Sequence, residues 1–470
     1  IIPKSCSDDP GNPGNIFNIM QTLVKRNVVV NLHISPALFE QIKMISSGFN
    51  VKEENKIKKY ETSTREVQGA VKILTDVKNL IAIDRVELIF SPYPGVSMPS
   101  LLKRNYQDDL DYQFDKAKEV FDTTSTPPDK IKGFLAPSFN LGPDSYSYIK
   151  KKSDYTVVRD NGLKNVIIDD DYVIFPIDTK TSDFIKSNEN SEIVSQSLIA
   201  TLAQRLLTST QTAKNIQVID LTGIGIGKLD IIMQYIEKTP WLKPVSFSSQ
   251  LGNDYLKKKY VPKATKETDT DRKYFRRLSE TKEFFSFFSE TAENKDLVDE
   301  LYGYIITAES DYWVRNVDEK NNLGLLFLDR IEKRIESLFD KIDILKQEIT
   351  LSGKAGKIPV AIRNLSGFPF KVIVELSGAN FSFPDGNKKE IILRPKENVI
   401  TFDVEAKKVG NYKITLKILS PSGKNIKTSQ LSIKSSNWQS LITWISFILI
   451  LAVILILIKL KIKKKREENE

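Results

Sequence analysis

The chain has 470 residues, 40% apolar and 27% charged, so it is long enough for two to four domains and too apolar to be disordered throughout. A formal charge of +9 is a modest excess at this length, and no basic stripe with interleaved aromatics is present, so no nucleic-acid partner is expected. One cysteine and one histidine exclude an intramolecular disulfide, zinc-finger spacings and any two-histidine metal centre, and neither a metal nor a cofactor is expected.

Residues 1 to about 260 alternate short β-branched runs with amphipathic stretches, which predicts an α/β fold on mostly parallel strands. Strands are expected at 28–34, 86–91, 132–136, 155–159, 165–175 and 216–221. Helices are expected at 36–47, 66–79, 109–121, 143–150 and 192–209, where apolar residues recur three and four apart. Six or seven such units suit a β/α barrel of the seven-stranded type, complete or incomplete, with functional residues at the C-terminal strand ends. That rule selects His33, Tyr93, Ser138, Asp160 and Asp220. Tyr93, Phe139 and Trp241 could line a saccharide groove, since sugars stack on aromatic faces, or equally be core. His33 sits in the apolar run from Val28 to Ile34 and reads as a strand-end residue without catalytic duty. Asp183, in Thr181-Ser182-Asp183, reads as a helix cap. With Asp160, Asp178 and Asp220 it makes the residual set from which a carboxylate pair could be assembled. Gly223-Ile224-Gly225-Ile226-Gly227-Lys228 fits neither a dinucleotide nor a Walker spacing and is expected to be a tight turn.

Residues 261–350 are rich in Lys and Glu, almost free of Pro and dense in Phe and Leu, which predicts a helical region. Leu328, Ile331, Ile335, Leu338, Ile342, Leu345 and Ile349 make an a/d seam carrying one heptad helix over 328–349. The seam is open to self-association or to packing in its own domain, and the need to cover Phe284, Phe285, Phe287 and Phe288 favours the latter. Over 356–435 the apolar period becomes two, with turn signals at Asp385-Gly386, Pro395, Gly410 and Pro421-Ser422-Gly423, which predicts an immunoglobulin-like β-sandwich. Asn364-Leu365-Ser366 and Asn380-Phe381-Ser382 are acceptor sequons for N-glycosylation.

Residues 441–458 contain no charge, Pro or Gly and predict a transmembrane helix, with Trp438 and Trp444 at its upstream end. The tail 459–470 carries six cations against three carboxylates, so it is expected to be cytoplasmic and the larger domain extracellular, in a single-pass cell-membrane protein. The chain opens Ile1-Ile2-Pro3 without an initiator Met, and export by a signal peptide since removed is the expectation.

Several stretches, in order, resemble glycoside hydrolase family 57 and the wider polysaccharide-deacetylase-like barrels. Asn31-Leu32-His33-Ile34-Ser35-Pro36 is similar to the family's strand followed by Ser-Pro, and Ser91-Pro92-Tyr93-Pro94-Gly95 to its Pro-Tyr-x-His. Gly133-Phe134-Leu135-Ala136-Pro137-Ser138 resembles Gly-x-Trp-x-x-Glu, and 175–183 resembles Phe-Arg-Asp-x-x-Leu-Ser-Asp. Val218-Ile219-Asp220 resembles the Asp-Gly-Glu strand, and Ala308-Glu309-Ser310-Asp311-Tyr312-Trp313 the helical Ala-x-Ser-Asp-Trp. The resemblance covers roughly 27–315 and implies a sugar-cleaving barrel with two carboxylates flanking the bond. It also implies their loss: the nucleophile position holds Ser138, and the acid/base position falls at Leu221 or Thr222. The layout further resembles an uncharacterised family of bacterial, chiefly actinobacterial, exported single-span membrane proteins, through Pro92-Tyr93, 202–207, 240–245, Ile358-Pro359-Val360 with Asn364, and 420–423.

The expectation is thus a membrane-anchored cell-envelope protein with a degenerate, non-catalytic barrel over 1–260, a helical region over 261–350, the sandwich, the span and a basic tail. It would bind or scaffold a cell-wall or surface glycan through a groove of His33, Tyr93, Ser138, Phe139, Asp160, Asp220 and Trp241. The alternative is a divergent carbohydrate-active hydrolase with a relocated carboxylate pair drawn from Asp160, Asp183 and Asp220.

Overall fold

The computed structural model describes residues 16–53, 56–122, 132–159, 163, 165–187, 189–208, 216–263, 266–316, 322–345, 348–435 and 438–467. Two compact units divide the chain: Ile1–Phe275 with Ile306–Leu325, and Arg276–Ile305 with Leu326–Glu470.

In the first unit the strands are β1 (Val30–His33), β2 (Phe49–Glu53), β3 (Lys56–Tyr60), β4 (Val86–Ile89), β5 (Gly133–Leu135), β6 (Tyr155–Arg159), β7 (Ile167–Asp169), β8 (Tyr172–Ile177) and β9 (Leu256–Lys257). β1 pairs with β4, and β5 with β6 and β6 with β8, all in parallel. Single parallel bridges, Phe90 to Phe134 and Ile177 to Val218, extend the array at its joints. Parallel strands covered on both faces need apolar side chains at successive positions, and every residue of β4 and β8 is buried. Among the described residues no strand pairing joins the two edges of this array. At the β1 edge the Asn31 side chain instead holds the chain at 245–247, donating to the Val245 carbonyl (3.1 Å) and accepting from the Phe247 amide (3.0 Å).

The covering helices follow from local chemistry. Pro36–Ser46 starts where the Ser35 hydroxyl accepts from the Leu38 amide and Pro36, lacking an N–H, fills the first turn. Arg65–Ala82 buries Val67, Ala70, Ile73, Val77 and Leu80, a stripe at three and four spacing.

Two expected strands differ. The run 165–175 is a hairpin: Asp170 has φ +56°, a left-handed turn that ends β7 and reverses the chain into β8. The run 216–221 contributes only the Val218 bridge. Asp160 lies outside the described residues.

In the second unit the strands are β10 (Ile342–Ile344), β11 (Glu348–Leu351), β12 (Ala355–Asn364), β13 (Phe370–Ser377), β14 (Phe381–Ser382), β15 (Lys388–Leu393), β16 (Lys396–Ala406), β17 (Gly410–Leu419) and β18 (Asn425–Ser435). They form two sheets, β10-β12-β16-β14 and β11-β18-β17-β13-β15, antiparallel except for the β11 and β18 pair. Each sheet buries alternate residues, among them Ile358, Val360 and Phe402 in one and Val372, Val374, Leu416 and Ile433 in the other.

The heptad helix is shorter than its seam. It spans Leu323–Asp340, and Ile342 and Ile349 belong to β10 and β11. Leu328, Ile331, Ile335 and Leu338 are fully buried, and Phe287 and Phe288 pack on Phe339. Asn364 is 1% exposed; its Nδ2 donates to the Phe368 and Leu393 carbonyls, whereas Asn380 is exposed. The last helix, Trp438–Glu467, contains Thr443–Lys461, a stretch long and apolar enough to cross a membrane and exposed throughout.

Candidate functional site

The C-terminal ends of the parallel strands carry most of the candidates, and the structure sorts them into two polar groups. The first surrounds the chain 91–95 that leaves β4. His33, at the end of β1, places Nε2 2.9 Å from Oγ of the fully buried Ser91. Burial without a carboxylate partner lowers the His33 pKa to about 4, so the ring is neutral at physiological pH. Tyr93 donates its hydroxyl to Glu40 (2.8 Å), whose other oxygen meets Lys116 at 3.3 Å. Burial first, and then the Glu40 charge, push the phenol well above its ordinary value.

Ser138 stands beyond β5 with φ +53°, followed by Phe139 at +55°. Two successive left-handed residues without glycine are strained, and here the strain turns Ser138 toward a carboxylate. Its Oγ donates to Asp311 Oδ2 at 2.7 Å. Asp311 is itself buried; its amide donates to the Gly95 carbonyl and its Oδ2 takes Arg315 Nε at 2.7 Å. Two residues earlier, the fully buried Glu309 accepts from Gln113 Nε2 at 2.6 Å. The segment 306–325 thus returns two carboxylates to the strand ends. Phe139, partly buried, packs against the strand-end core, with the Arg159 guanidinium 5.5 Å above its ring.

The second group is acidic by sequence and neutralised in space. Asp178 caps the helix Thr179–Lys186, accepting from the Thr181 amide and hydroxyl, and forms an ion pair with Arg205. Asp220 accepts from the Thr222 amide and pairs with Lys186, and Ser182 joins the two by accepting from the Asp220 amide and donating to the Asp178 carbonyl. Burial disfavours ionisation of both, but the bonds from Arg205 and Thr181, and from Lys186 and Thr222, outweigh it and hold both carboxyls below the usual range. The cap expected at Asp183 is therefore made by Asp178; Asp183 is exposed inside the helix. Leu221 packs under the neighbouring helices and Thr222 is exposed; a hydrocarbon and an aliphatic hydroxyl stand where the resemblance implies an acid.

Trp241 is 41% exposed, and among the described residues no hydrogen bond or ring contact links it to either group. Lys228, the cation of the glycine-rich turn, donates to the Ile185 and Ser187 carbonyls at the end of the helix Thr179–Lys186, which gives it a capping task. Sequence reasoning missed Glu87, a carboxylate inside the apolar run of β4. It accepts from the Tyr155 hydroxyl (2.7 Å) and the Ser248 amide (3.0 Å). Gly133 makes this possible, because a Cβ there would lie 2.0 Å from the Tyr155 ring. A charged residue amid Val86, Leu88 and Ile89 was the available signal of a buried polar partner.

With this geometry in place, relatives can be set beside it. A model of a family of unknown function (DUF6049) matches residues 191–459, more than half the chain, and the chain belongs to that family. No curated protein matches. Among solved structures, the α-amylase AmyC of Thermotoga maritima covers 69% of this chain and 86% of its own at 11% identity and a TM-score of 0.51. The GH57-type branching enzyme of Pyrococcus horikoshii covers 70% and 85% at 12% identity, again at 0.51. The GH57 branching enzyme of Thermococcus kodakaraensis, solved with glucose, covers 70% and 84% at 9% identity and 0.51. The chain therefore has a GH57-like fold.

Proposed function

We propose that the protein is a membrane-anchored, non-catalytic glycan-binding protein of the cell envelope, with its large domain outside and its basic tail in the cytoplasm. One observation carries the reading. At the strand ends, where cleavage would need one nucleophilic and one proton-donating carboxylate, position 138 is a hydroxyl and Asp178, Asp220, Asp311 and Glu40 are each bound to a cation. Such groups present fixed donors and acceptors, as a binding surface does, and each of these four carboxylates is held by its cation rather than free to attack an anomeric carbon. The six cations after the apolar stretch support the orientation. The test is a glycan array with the intact protein in detergent, paired with a reducing-end assay: binding without release is expected, and release of new reducing ends overturns it.

A second reading has a specific observation behind it. Asp311 reaches the nucleophile position from elsewhere in the chain, as a relocated carboxylate would. Turnover that is present in the intact protein and abolished in Asp311→Asn would establish that reading.

A further inference from the structure

Both ends of the β-sandwich carry exposed cations; in the turn 394–396, away from Ser435, Arg394 and Lys396 have no ion-pair partner among the described residues. At the end away from Ser435, Lys424 pairs with Glu283 at 2.9 Å and Arg363 with Glu397 at 2.8 Å. At the other end the strand register gathers several turns around Ser435. Gly410 and Leu351 both lie opposite Ser435, and Asn411 opposite Lys434. The Ser435 hydroxyl donates to the Gly353 carbonyl, and the Ala406 amide to the Lys354 carbonyl. The turns 352–354 and 407–409 therefore flank the residue at which the chain leaves the sandwich. They present exposed Lys354, Lys407 and Lys408, with Lys434 and Lys413 on the adjoining outer face. Among the described residues, Lys354, Lys408, Lys413 and Lys434 have no ion-pair partner, and the Lys407 ammonium meets only the Ala379 carbonyl. The acids nearby include Glu405, Asp385 on the turn after β14, and Glu348, which lies opposite Ser432 as Lys413 does on the other side. Val409, at the tip beside Lys408, is 44% exposed.

The chain fixes what this end must face. Ser435 and Trp438 are three residue steps apart, which spans roughly 11 Å at full extension. Trp438 opens the helix whose apolar stretch begins at Thr443. The cations are thus tethered within reach of the headgroup layer, where charge attraction acts over about 8 Å at physiological salt.

We propose that this end of the sandwich docks on the anionic lipid headgroups of the bilayer that holds its own helix, with the lysines engaging phosphates and Val409 entering the interface. The proposal rests on the reading of the helix as a membrane anchor. A full-length Cys6→Ser, Val409→Cys protein labelled at 409 with an environment-sensitive fluorophore is reconstituted into phosphatidylcholine vesicles with and without phosphatidylglycerol. Docking predicts that quenching by headgroup-level spin-labelled lipid rises roughly twofold or more with the anionic lipid and is lost at high salt. Lys354→Glu, Lys408→Glu and Lys434→Glu together should abolish the rise, and the salt dependence tests the unaltered surface should that variant fail to fold. Equal quenching in both vesicles, or quenching that responds to added anionic wall polysaccharide and not to phosphatidylglycerol, overturns the docking. Flotation after an alkaline wash separates the two readings: a chain that floats with an unresponsive label refutes the docking alone, whereas one that does not float refutes the anchor and the docking with it.

Discussion

The strand wall of the first unit and the sandwich of the second are both buried sheet, yet they are held differently. β5 is three residues long and meets β4 through one bridge, whereas β12 and β16 share an unbroken ladder from Ala355–Glu405 to Asn364–Lys396. The wall supplements short ladders with internal polar ties, Asn31 to 245–247 and Glu87 to Tyr155 and Ser248, while the sandwich has longer backbone ladders beside its own buried tie at Asn364. The ties of the wall lie at the second residues of β1 and β4, away from the C-terminal strand ends, so the residues at those ends can vary without loosening the sheet.

The sharpest way to break this comparison is a methyl group in each region. Gly133→Ala drives a Cβ into the Tyr155 ring, which Glu87 anchors, and is expected to cost about 3 kcal/mol. Gly378→Ala meets the buried Ile414 Cγ1 at 2.7 Å and Phe381 Cδ2 at 3.3 Å, a milder overlap than a ring at 2.0 Å, and should cost less, about 2 kcal/mol. Urea unfolding, read by tryptophan fluorescence for the first unit and by far-ultraviolet circular dichroism for the sandwich, checks both; equal costs would erase the distinction.

An effect smaller than that of Gly133→Ala is expected at the neutralised acidic group. Asp178→Ala removes a helix cap and should cost about 2 kcal/mol, and Asp178→Asn, which keeps an acceptor for Thr181, less than half of that. Because the native carboxyl titrates below its unfolded value of about 3.9, its contribution is complete above that pH and disappears as acid protonates the folded form. The acid limb of a stability–pH curve should therefore flatten in both variants.

At the strained turn, Ser138→Ala loses the bond to Asp311 and keeps the left-handed backbone, whereas Ser138→Gly loses the bond and relieves the strain. Glycine should be the milder change by about 1 kcal/mol, measured by thermal unfolding. The last effect is protonic and develops only in acid, where across the whole interval it rivals the Gly133 change. The unfolded His33 takes up a proton near pH 6.5 and the folded one only near 4, so stability should decline as pH falls through that interval. His33→Gln should remove this part of the slope; an unchanged slope places the titration elsewhere.

Much of the architecture was legible because its signals are local. Ser35-Pro36 marks a helix start, the three and four spacing over 65–82 marks a covered face, and the period-two runs after 356 mark the sandwich. The heptad misled beyond Asp340 because Ile342 and Ile349 are seven apart and fit the seam. The neighbours Ile344 and Leu351 were the sign of a different period, each being the next inward residue of a strand. The site was less legible. Asp311 lies 173 residues from Ser138; the resemblance marked its segment 308–313, but spacing alone cannot reveal a contact made by the return of a distant segment. Nor can composition show that Asp178 and Asp220 are each matched by a cation.

The buried amide of Asn364 bears on the protein's maturation. Oligosaccharide transfer to that nitrogen requires both carbonyls it serves to be released, so the modification and the finished sheet exclude one another. In a glycosylating host, a sugar at Asn364 would mark chains intercepted before the sandwich closed, while one at Asn380 could be added at any time.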